Sequence, residues 1–325
     1  MCCSGCNFSM VIRMQRKIDL RGTHLVCCHN VMSNRRHFLR TALATTLATP
    51  FVNAHAASPR KLRKAIMMGT LGLKNLPLVD RLKAAKEAGY EGVEPSGGMN
   101  QQEVIDALNA SGMEAASVCC HTHWKETLTH NDEATREAGL QGVLTTLRDA
   151  KAYGAGSILV VPGVCNEEVP YDVAWERSIT QIKKAVPLAR ELNVKISIEN
   201  VWNNFILSPL EAVRFLDEIG DPIVGWHFDI GNVLRYGWPE HWIKVLGKRI
   251  NRIHVKEYST TKMKDEGVWK GFEVDLTEGT NNWPAIMKAL DDVGYTGWAI
   301  SEQRGGINPN GLKMLTERMD KIFAM

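Results

Sequence analysis

From residue 65 to the C-terminus, short apolar runs alternate with longer segments whose apolar residues recur at helical spacing. The runs Ile66 to Leu71, Tyr90 to Pro95, Ala115 to Cys120, Ser157 to Val161, Val194 to Glu199, Ile223 to Asp229, Ile250 to Val255 and Trp298 to Glu302 read as β-strands. Between them, Leu78 to Ala88, Gln101 to Ala110, Asp132 to Tyr153, Tyr171 to Leu192, Pro209 to Ile219, Pro239 to Leu246 and Trp283 to Val293 read as helices. Gly89, Gly112 and Gly294 supply stops for three of them, because glycine tolerates the left-handed conformation that ends a helix. Eight alternations in roughly 250 residues is the size of a single-domain (β/α)8 TIM barrel. A doubly wound open sheet, the competing architecture, gathers its chemistry in one crevice behind a glycine-rich turn. No such turn follows the first run, and polar residues close several runs, so the pattern favours the barrel. The segment from Ser259 to Thr280, rich in Lys, Glu and Gly, is the one sizeable insertion and is expected as a loop over the same face.

The first 56 residues break the pattern. Arg35 and Arg36 precede a modest apolar stretch, Thr41 to Val52, that closes at Ala54-His55-Ala56. That order of charge, apolar segment and small-residue cleavage site is an export signal of the twin-arginine (Tat) type. Residues 1–31 lie in front of it and read as a start extension before Met32, leaving 32–56 as the signal and 57–325 as the barrel. The expectation is therefore a protein handled by the Tat translocase and delivered to the periplasm or the exterior. The apolar stretch is too short to span a bilayer stably.

Removing the leader changes the charge. The full chain has 39 basic and 36 acidic residues, but residues 57–325 carry 32 and 35, so the formal charge moves from +3 to −3. Nothing then points to nucleic acid or an anionic membrane as a partner. Five of the eight cysteines precede Met32, and the spacing of Cys3, Cys6, His24, Cys27, Cys28 and His29 fits no common zinc pattern. Cys119, Cys120 and Cys165 are expected as small core residues rather than a disulfide framework.

The chemistry sits at the ends of four consecutive runs, which close on Glu199, Asp229, His254 and Glu302. Strand ends on one side of a barrel share one mouth. A lone carboxylate there would be a helix cap or a surface group. Four such groups on neighbouring strands would repel one another without a cation, so the set predicts a divalent metal site. Its hard, oxygen-rich donors suit Mn²⁺ best, with Mg²⁺, Co²⁺, Zn²⁺ or Fe²⁺ as alternatives. Such a metal can take a vicinal hydroxyl and carbonyl of a sugar and acidify the carbon between them. Glu199 and Glu302 are then the catalytic proton carriers, one on each side of the substrate. Removal on one face and return on the other gives epimerisation; shuttling between adjacent carbons gives isomerisation; loss of a β-hydroxyl gives elimination.

Alternation along a strand sends Lys256 and Arg252 the same way as His254, and Arg304 the same way as Glu302. Lys256 is then a substrate contact, or an ion pair to a neighbouring carboxylate. His123 and Trp124 after the third run would form a sugar-stacking wall, or a loop without function. Glu94 ends the second run and would bind a substrate hydroxyl, or make a structural salt bridge. His227 would touch the substrate or back the metal site, or be a buried core histidine. Trp202, with Asn203 beside it, would line the pocket.

These motifs resemble the xylose-isomerase-like TIM barrels, the sugar phosphate isomerase/epimerase family, over most of residues 65–325. The resemblance is carried by Gly92-Val-Glu-Pro95, Thr122-His-Trp124, Val160-Val-Pro-Gly163, Ile198-Glu-Asn-Val-Trp202, Phe228-Asp-Ile-Gly-Asn232, Arg252-Ile-His-Val-Lys256 and Ser301-Glu302. It implies Glu199, Asp229, His254 and Glu302 as the metal quartet, with Glu199 and Glu302 as the catalytic pair. Asn232 stands where ketose 3-epimerases similar to D-tagatose epimerase have a His, and Lys256 is the one candidate for their Arg after the metal His. The Asp-x-Gly-Asn pattern resembles the L-ribulose and L-xylulose 5-phosphate 3-epimerase branch. Export favours a free or oxidised sugar over a sugar phosphate. A metal-dependent isomerase or 3-epimerase leads, followed by a lyase or dehydratase acting on a keto-sugar. An apurinic endonuclease would need more histidines and a basic DNA face, and a sugar-binding barrel without catalysis would bind no divalent ion. The sugar and the oligomeric state, a homo-oligomer included, stay open.

Overall fold

A computed structural model describes residues 60–306 and 308–325; the leader, with its twin arginine and the boundaries at 31 and 56, lies outside the described residues. Parallel strands β1 (Leu62–Met67), β2 (Gly92–Glu94), β3 (Glu114–Ala115), β4 (Val118–Cys119), β5 (Ser157–Val160), β6 (Lys195–Glu199), β7 (Val224–Asp229), β8 (Ile250–Val255) and β9 (Gly297–Ser301) form one sheet in the order β3-β2-β1-β9-β8-β7-β6-β5-β4. The two ends of that order are consecutive pieces of a single chain segment. Ala116 NH bonds to Val93 O, and Cys119 NH to Pro95 O, before Cys120 NH turns to Leu159 O. The third strand position thus changes partner in mid-course and closes a barrel of eight positions, which is why one expected run appears as two short strands.

Helices α1 (Leu78–Glu87), α2 (Gln101–Ser111), α3 (Glu133–Tyr153), α4 (Tyr171–Leu192), α5 (Pro209–Ile219), α6 (Ile230–Val233), α7 (Pro239–Leu246), α8 (Thr260–Glu266), α9 (Trp283–Asp292) and α10 (Pro309–Phe323) follow the strands. Their starts are chemically marked: Ser208 and Glu211 make a capping box at α5, and Asp132 accepts from Thr135 NH at α3. The first strand begins four residues earlier than its apolar run suggests. Arg63 pairs with Glu91 and Glu114, and Lys64 with Asp320, so polar side chains at the strand's start find partners. The apolar run continues instead into a turn, where Thr70 NH and Leu71 NH both bond to Met67 O.

Alternation sorts the strands into two faces. Ile196, Ile198, Trp226, Phe228, Ile253 and Val255 point outward and are buried with Ala185, Ala189, Phe215 and Ile243 of the helices in the main core. The inward positions include Ser197 and Glu199, His227 and Asp229, and Arg252 and His254. Low in the barrel, Ser157 and Ser197 hydroxyls lie 2.6 Å apart and Asn251 Nδ2 donates to Ser197 Oγ. Arg252 belongs to this lower region, its Nε donating to Ala116 O at 2.7 Å. It is not at the mouth, because a two-residue step along a strand moves a side chain by about 7 Å.

Candidate metal centre

The upper inward positions of β6, β7 and β8, with Glu302 just beyond β9, bring Glu199, Asp229, His254 and Glu302 together with one ligand atom each inside a 4.8 Å sphere of mutual distances. His254 organises them. Its Nε2 lies 2.9 Å from Glu94 Oε2, and its Nδ1 lies 3.0 Å from Glu199 Oε1 and 2.9 Å from Glu302 Oε2. A carboxylate only accepts, so without a metal both ring nitrogens have reason to carry a proton, Nε2 toward Glu94 and Nδ1 toward Glu199 and Glu302; a metal would take the place of the Nδ1 proton. A carboxylate behind a metal-binding imidazole fixes its ring and tautomer in the same manner. Glu94 therefore sits beneath His254, fully buried, and away from the pocket wall expected for a hydroxyl-binding group.

Asp229 is held by Asn200, whose Oδ1 accepts from Asp229 NH at 3.0 Å and whose Nδ2 donates to Asp229 O at 2.7 Å. Asp229 Oδ1 caps α6 by accepting from Asn232 NH, which leaves Oδ2 turned toward Lys256 Nζ at 2.9 Å. Lys256 Nζ also meets Glu302 Oε2 at 2.8 Å and Asn232 Oδ1 at 3.2 Å. Its stem passes close over α6: a Cβ on Gly231 would lie 2.9 Å from Lys256 Cβ and Cγ. The glycine of Asp-Ile-Gly-Asn is thus the space through which the lysine reaches the acids.

Burial and charge pull the groups apart. Burial pushes the Glu199 carboxyl up to about 7, despite the nearby imidazole. Glu302 is only partly buried; burial opposes its charge, yet the Lys256 ammonium and His254 hold it well below the usual carboxylate range. Burial opposes charge on His254 and Lys256, but the surrounding carboxylates outweigh it and raise both. With His254 neutral, as ligation requires, and Glu94, Glu199, Asp229 and Glu302 ionised, the acids face Lys256 alone, a surplus that a divalent ion would largely offset. The donor set, one imidazole nitrogen and three carboxylates, fits a hard or borderline divalent metal. His227 stacks edge-on to His254 at 4.2 Å and, with Glu94 Oε1 3.9 Å from its Nδ1, stays buried and neutral. It lies behind the centre, off the open cavity.

Above the acids opens a cavity of about 480 Å³ lined by Thr70, Cys119, His123, Trp124, Glu199, Trp202, Lys256, Trp269, Phe272, Glu302, Gln303 and Arg304. Of the expected wall residues, His123, Trp124, Trp202 and Arg304 reach it. Asn203 instead braces the loop by donating to Gly163 O at 2.6 Å. Arg304 sits in the turn past β9, exposed, 3.9 Å from Glu273. The insertion between Ser259 and Thr280 is not a plain loop: α8 and a 3₁₀ turn, Val268–Phe272, carry Trp269 and Phe272 into the cavity. Glu257 anchors it, accepting from Thr277 NH, Asn281 NH and Trp283 Nε1. Gln303 binds both sides, accepting from Glu257 NH and donating to Val274 O. Sequence reasoning missed these anchors and the support from Asn200. The Glu-Asn and Lys-Glu pairs in the motifs were the available signal.

Comparison with known proteins agrees with the fold. The family profile described as xylose isomerase-like TIM barrel matches residues 82–320. The chain is similar to the inosose dehydratase of Yersinia enterocolitica, 26% identical over 151 residues, covering 42% of this chain and 50% of that protein. It thus spans about half the length of that relative. It is also similar to the L-ribulose-5-phosphate 3-epimerase UlaE of Shigella flexneri, 22% identical over 240 residues, covering 67% of this chain and 79% of the relative. Among solved structures, the 3-keto-D-glucoside 4-epimerase YcjR from E. coli superposes with a TM-score of 0.66 at 14% identity, covering 81% of this chain and 99% of that one.

Proposed function

We propose, from the premise that the chain belongs to the xylose isomerase-like TIM barrel family, that it is a divalent-metal-dependent isomerase or epimerase of a sugar or keto-sugar. The observation that carries this reading is the convergence of Glu199 and Glu302 on one nitrogen of His254 at the floor of an open cavity. Glu199, Asp229, His254 and Glu302 would hold the metal, Mn²⁺ before Mg²⁺, Co²⁺, Zn²⁺ or Fe²⁺. The chemistry such an ion supplies is Lewis-acid stabilisation of the charge that grows on a carbonyl oxygen as the neighbouring proton leaves.

The chain's own groups do the rest. β6 and β9 occupy strand positions three apart around the barrel, so Glu199 and Glu302 approach a bound sugar from different sides. One carboxylate takes the proton from the carbon beside the carbonyl, and the other returns a proton to the opposite face. Asn200 and Asn232 fix Asp229, Glu94 fixes the His254 ring, and Lys256 keeps Glu302 ionised. Trp202 lines the wall and is locked by its Nε1 bond to Asn232 O at 2.9 Å. A lyase reading is the alternative, favoured by the similarity to inosose dehydratase. Proton NMR in D₂O with the Mn²⁺-loaded chain separates them: epimerisation or isomerisation incorporates deuterium with no loss of water, whereas elimination releases it. No metal-dependent exchange with any ketose or keto-sugar would refute both. The Arg35-Arg36 leader supports placing this activity outside the cytoplasm, which fractionation of an Arg35→Lys, Arg36→Lys variant would test.

A further inference from the structure

We propose that the mouth of the barrel carries a second ring-binding subsite, a clamp between Trp124 and Trp269, and that the substrate is a glycoside bearing a ring ketone rather than a free ketose. The inference rests on the isomerase or epimerase reading and narrows its substrate class. Trp124 follows the third strand position and Trp269 follows the seventh, so the strands that lead to them are half a turn apart in a ring of eight, and both indoles line the same cavity. Both are exposed to an unusual degree for tryptophan, 55% and 67%. Each is supported on one side: Trp124 stands edge-on to His123 at 5.7 Å, and Trp269 leans on Trp202 at 4.8 Å. The segment that presents Trp269 is pinned, with Tyr258 OH donating to Val268 O and Ser259 NH to Gly271 O.

The cavity is therefore graded. Glu199, Lys256 and Glu302 form a charged floor, Trp202 and Phe272 a half-buried wall, and Trp124 and Trp269 a wet aromatic rim. Exposed apolar surface rimmed by polar groups marks a binding groove. The apolar C–H face of a pyranose is a good partner for an indole, whose polar edge tolerates the surrounding hydroxyls. A volume of about 480 Å³ lies in the range that takes more than a single small ring. A phosphate is poorly served: Lys256 is already shared by Asp229 and Glu302, and Arg304 stands beside Glu273.

A second ring joined through the anomeric carbon has a chemical consequence. The anomeric carbon becomes an acetal and cannot open to a carbonyl, so the carbonyl that acidifies the reacting C–H must be a ketone elsewhere on the ring. In the step itself a carboxylate removes that proton, the C–H electron pair becomes a C=C bond, and the carbonyl oxygen takes the charge. Reprotonation on the other face restores the ketone with inverted configuration and no net change of atoms or electrons. The ketone must be supplied by an alcohol oxidation that precedes this enzyme.

The test compares three probes with the Mn²⁺-loaded full chain in D₂O: D-fructose, 3-keto-D-glucose and phenyl 3-keto-β-D-glucoside. The phenyl glycoside should exchange with a kcat/KM at least about tenfold above that of 3-keto-D-glucose, equivalent to about 1.4 kcal/mol. Trp124→Ala and Trp269→Ala should bring that ratio toward one, and Trp→Phe at either position should restore most of it. Quenching of tryptophan fluorescence by unoxidised phenyl β-D-glucoside gives a readout independent of turnover and should vanish in Trp269→Ala. Equal efficiency on the free keto-sugar, or a ratio and a quench unchanged by both alanine variants, would overturn the clamp while leaving the epimerase reading intact. Absence of exchange from all three probes would instead overturn that reading and the substrate class with it.

Discussion

Glu199 and Glu302 are the same functional group at the tops of two strands, yet the regions around them differ. On the β6 side, Glu199 is buried against His254 with no ammonium in contact, and its carboxyl is pushed up to about 7. On the β9 side, Lys256 sits 2.8 Å from Glu302 and keeps it ionised. Two carboxyls whose surroundings separate their proton affinities are a means of dividing acid from base work within one site. The difference is made by one lysine, which is admitted by one glycine, Gly231.

The strongest way to break the comparison is to remove each side in turn. Glu199→Gln and Glu302→Gln should each lower turnover by about 10²–10⁴-fold while leaving the thermal unfolding midpoint near that of the parent. The two should differ in D₂O. The variant that retains the carboxylate facing the substrate's proton keeps some exchange without inversion, and its partner loses both. Equal residual exchange in the two variants would mean that the two sides are not distinct.

Lys256→Met attacks the cause of the difference. In metal-free protein, Asp229 and Glu302 would lose their shared cation, and breaking a buried pair costs about 3–5 kcal/mol. Unfolding in the presence of EDTA should move down accordingly, and added Mn²⁺ should recover most of the loss. An unchanged midpoint would show that the lysine does not hold the metal-free centre together.

A smaller effect is expected from pH. Glu199 and His254 must each release a proton to act as ligands, and both hold theirs above the ordinary range, so the divalent-ion affinity of the wild-type chain should rise with pH through about 7 and keep rising above it. Glu302, already ionised, adds nothing to that slope. Calorimetric titration between pH 5.5 and 8 checks this, and Glu199→Gln should make the profile shallower while leaving the His254 contribution. Least of all, Arg304→Ala should change kcat/KM by no more than about fivefold, since exposed ion pairs contribute about 0.2–1 kcal/mol.

Much of this arrangement is legible in the sequence because strand alternation is strict. Runs ending in Glu199, Asp229 and His254 place those residues inward at one level, and the structure keeps their strand ends within a residue of expectation. Length along the strand is harder to read. Arg252 shares the inward face with His254 but lies a layer lower, bonded to Ala116 O. Glu94 shares the inward face too, and only the three-dimensional approach of β2 to β8 across the barrel reveals that it backs His254. The first strand is offset because its apolar run extends into the turn at Met67. The insertion is expected over this face, but composition gives no hint that Glu257 and Gln303 anchor it or that it carries Trp269 and Phe272 into the cavity.

The lysine between Asp229 and Glu302 also bears on supply. A tethered cation competes with any free ion for the same oxygens, and its local concentration does not fall when the surroundings are dilute. Trace metal must outbid it before the centre fills. Under the proposed function, Lys256 would thus set a threshold chemical potential for loading, and activity would become a readout of how much divalent ion the compartment holds.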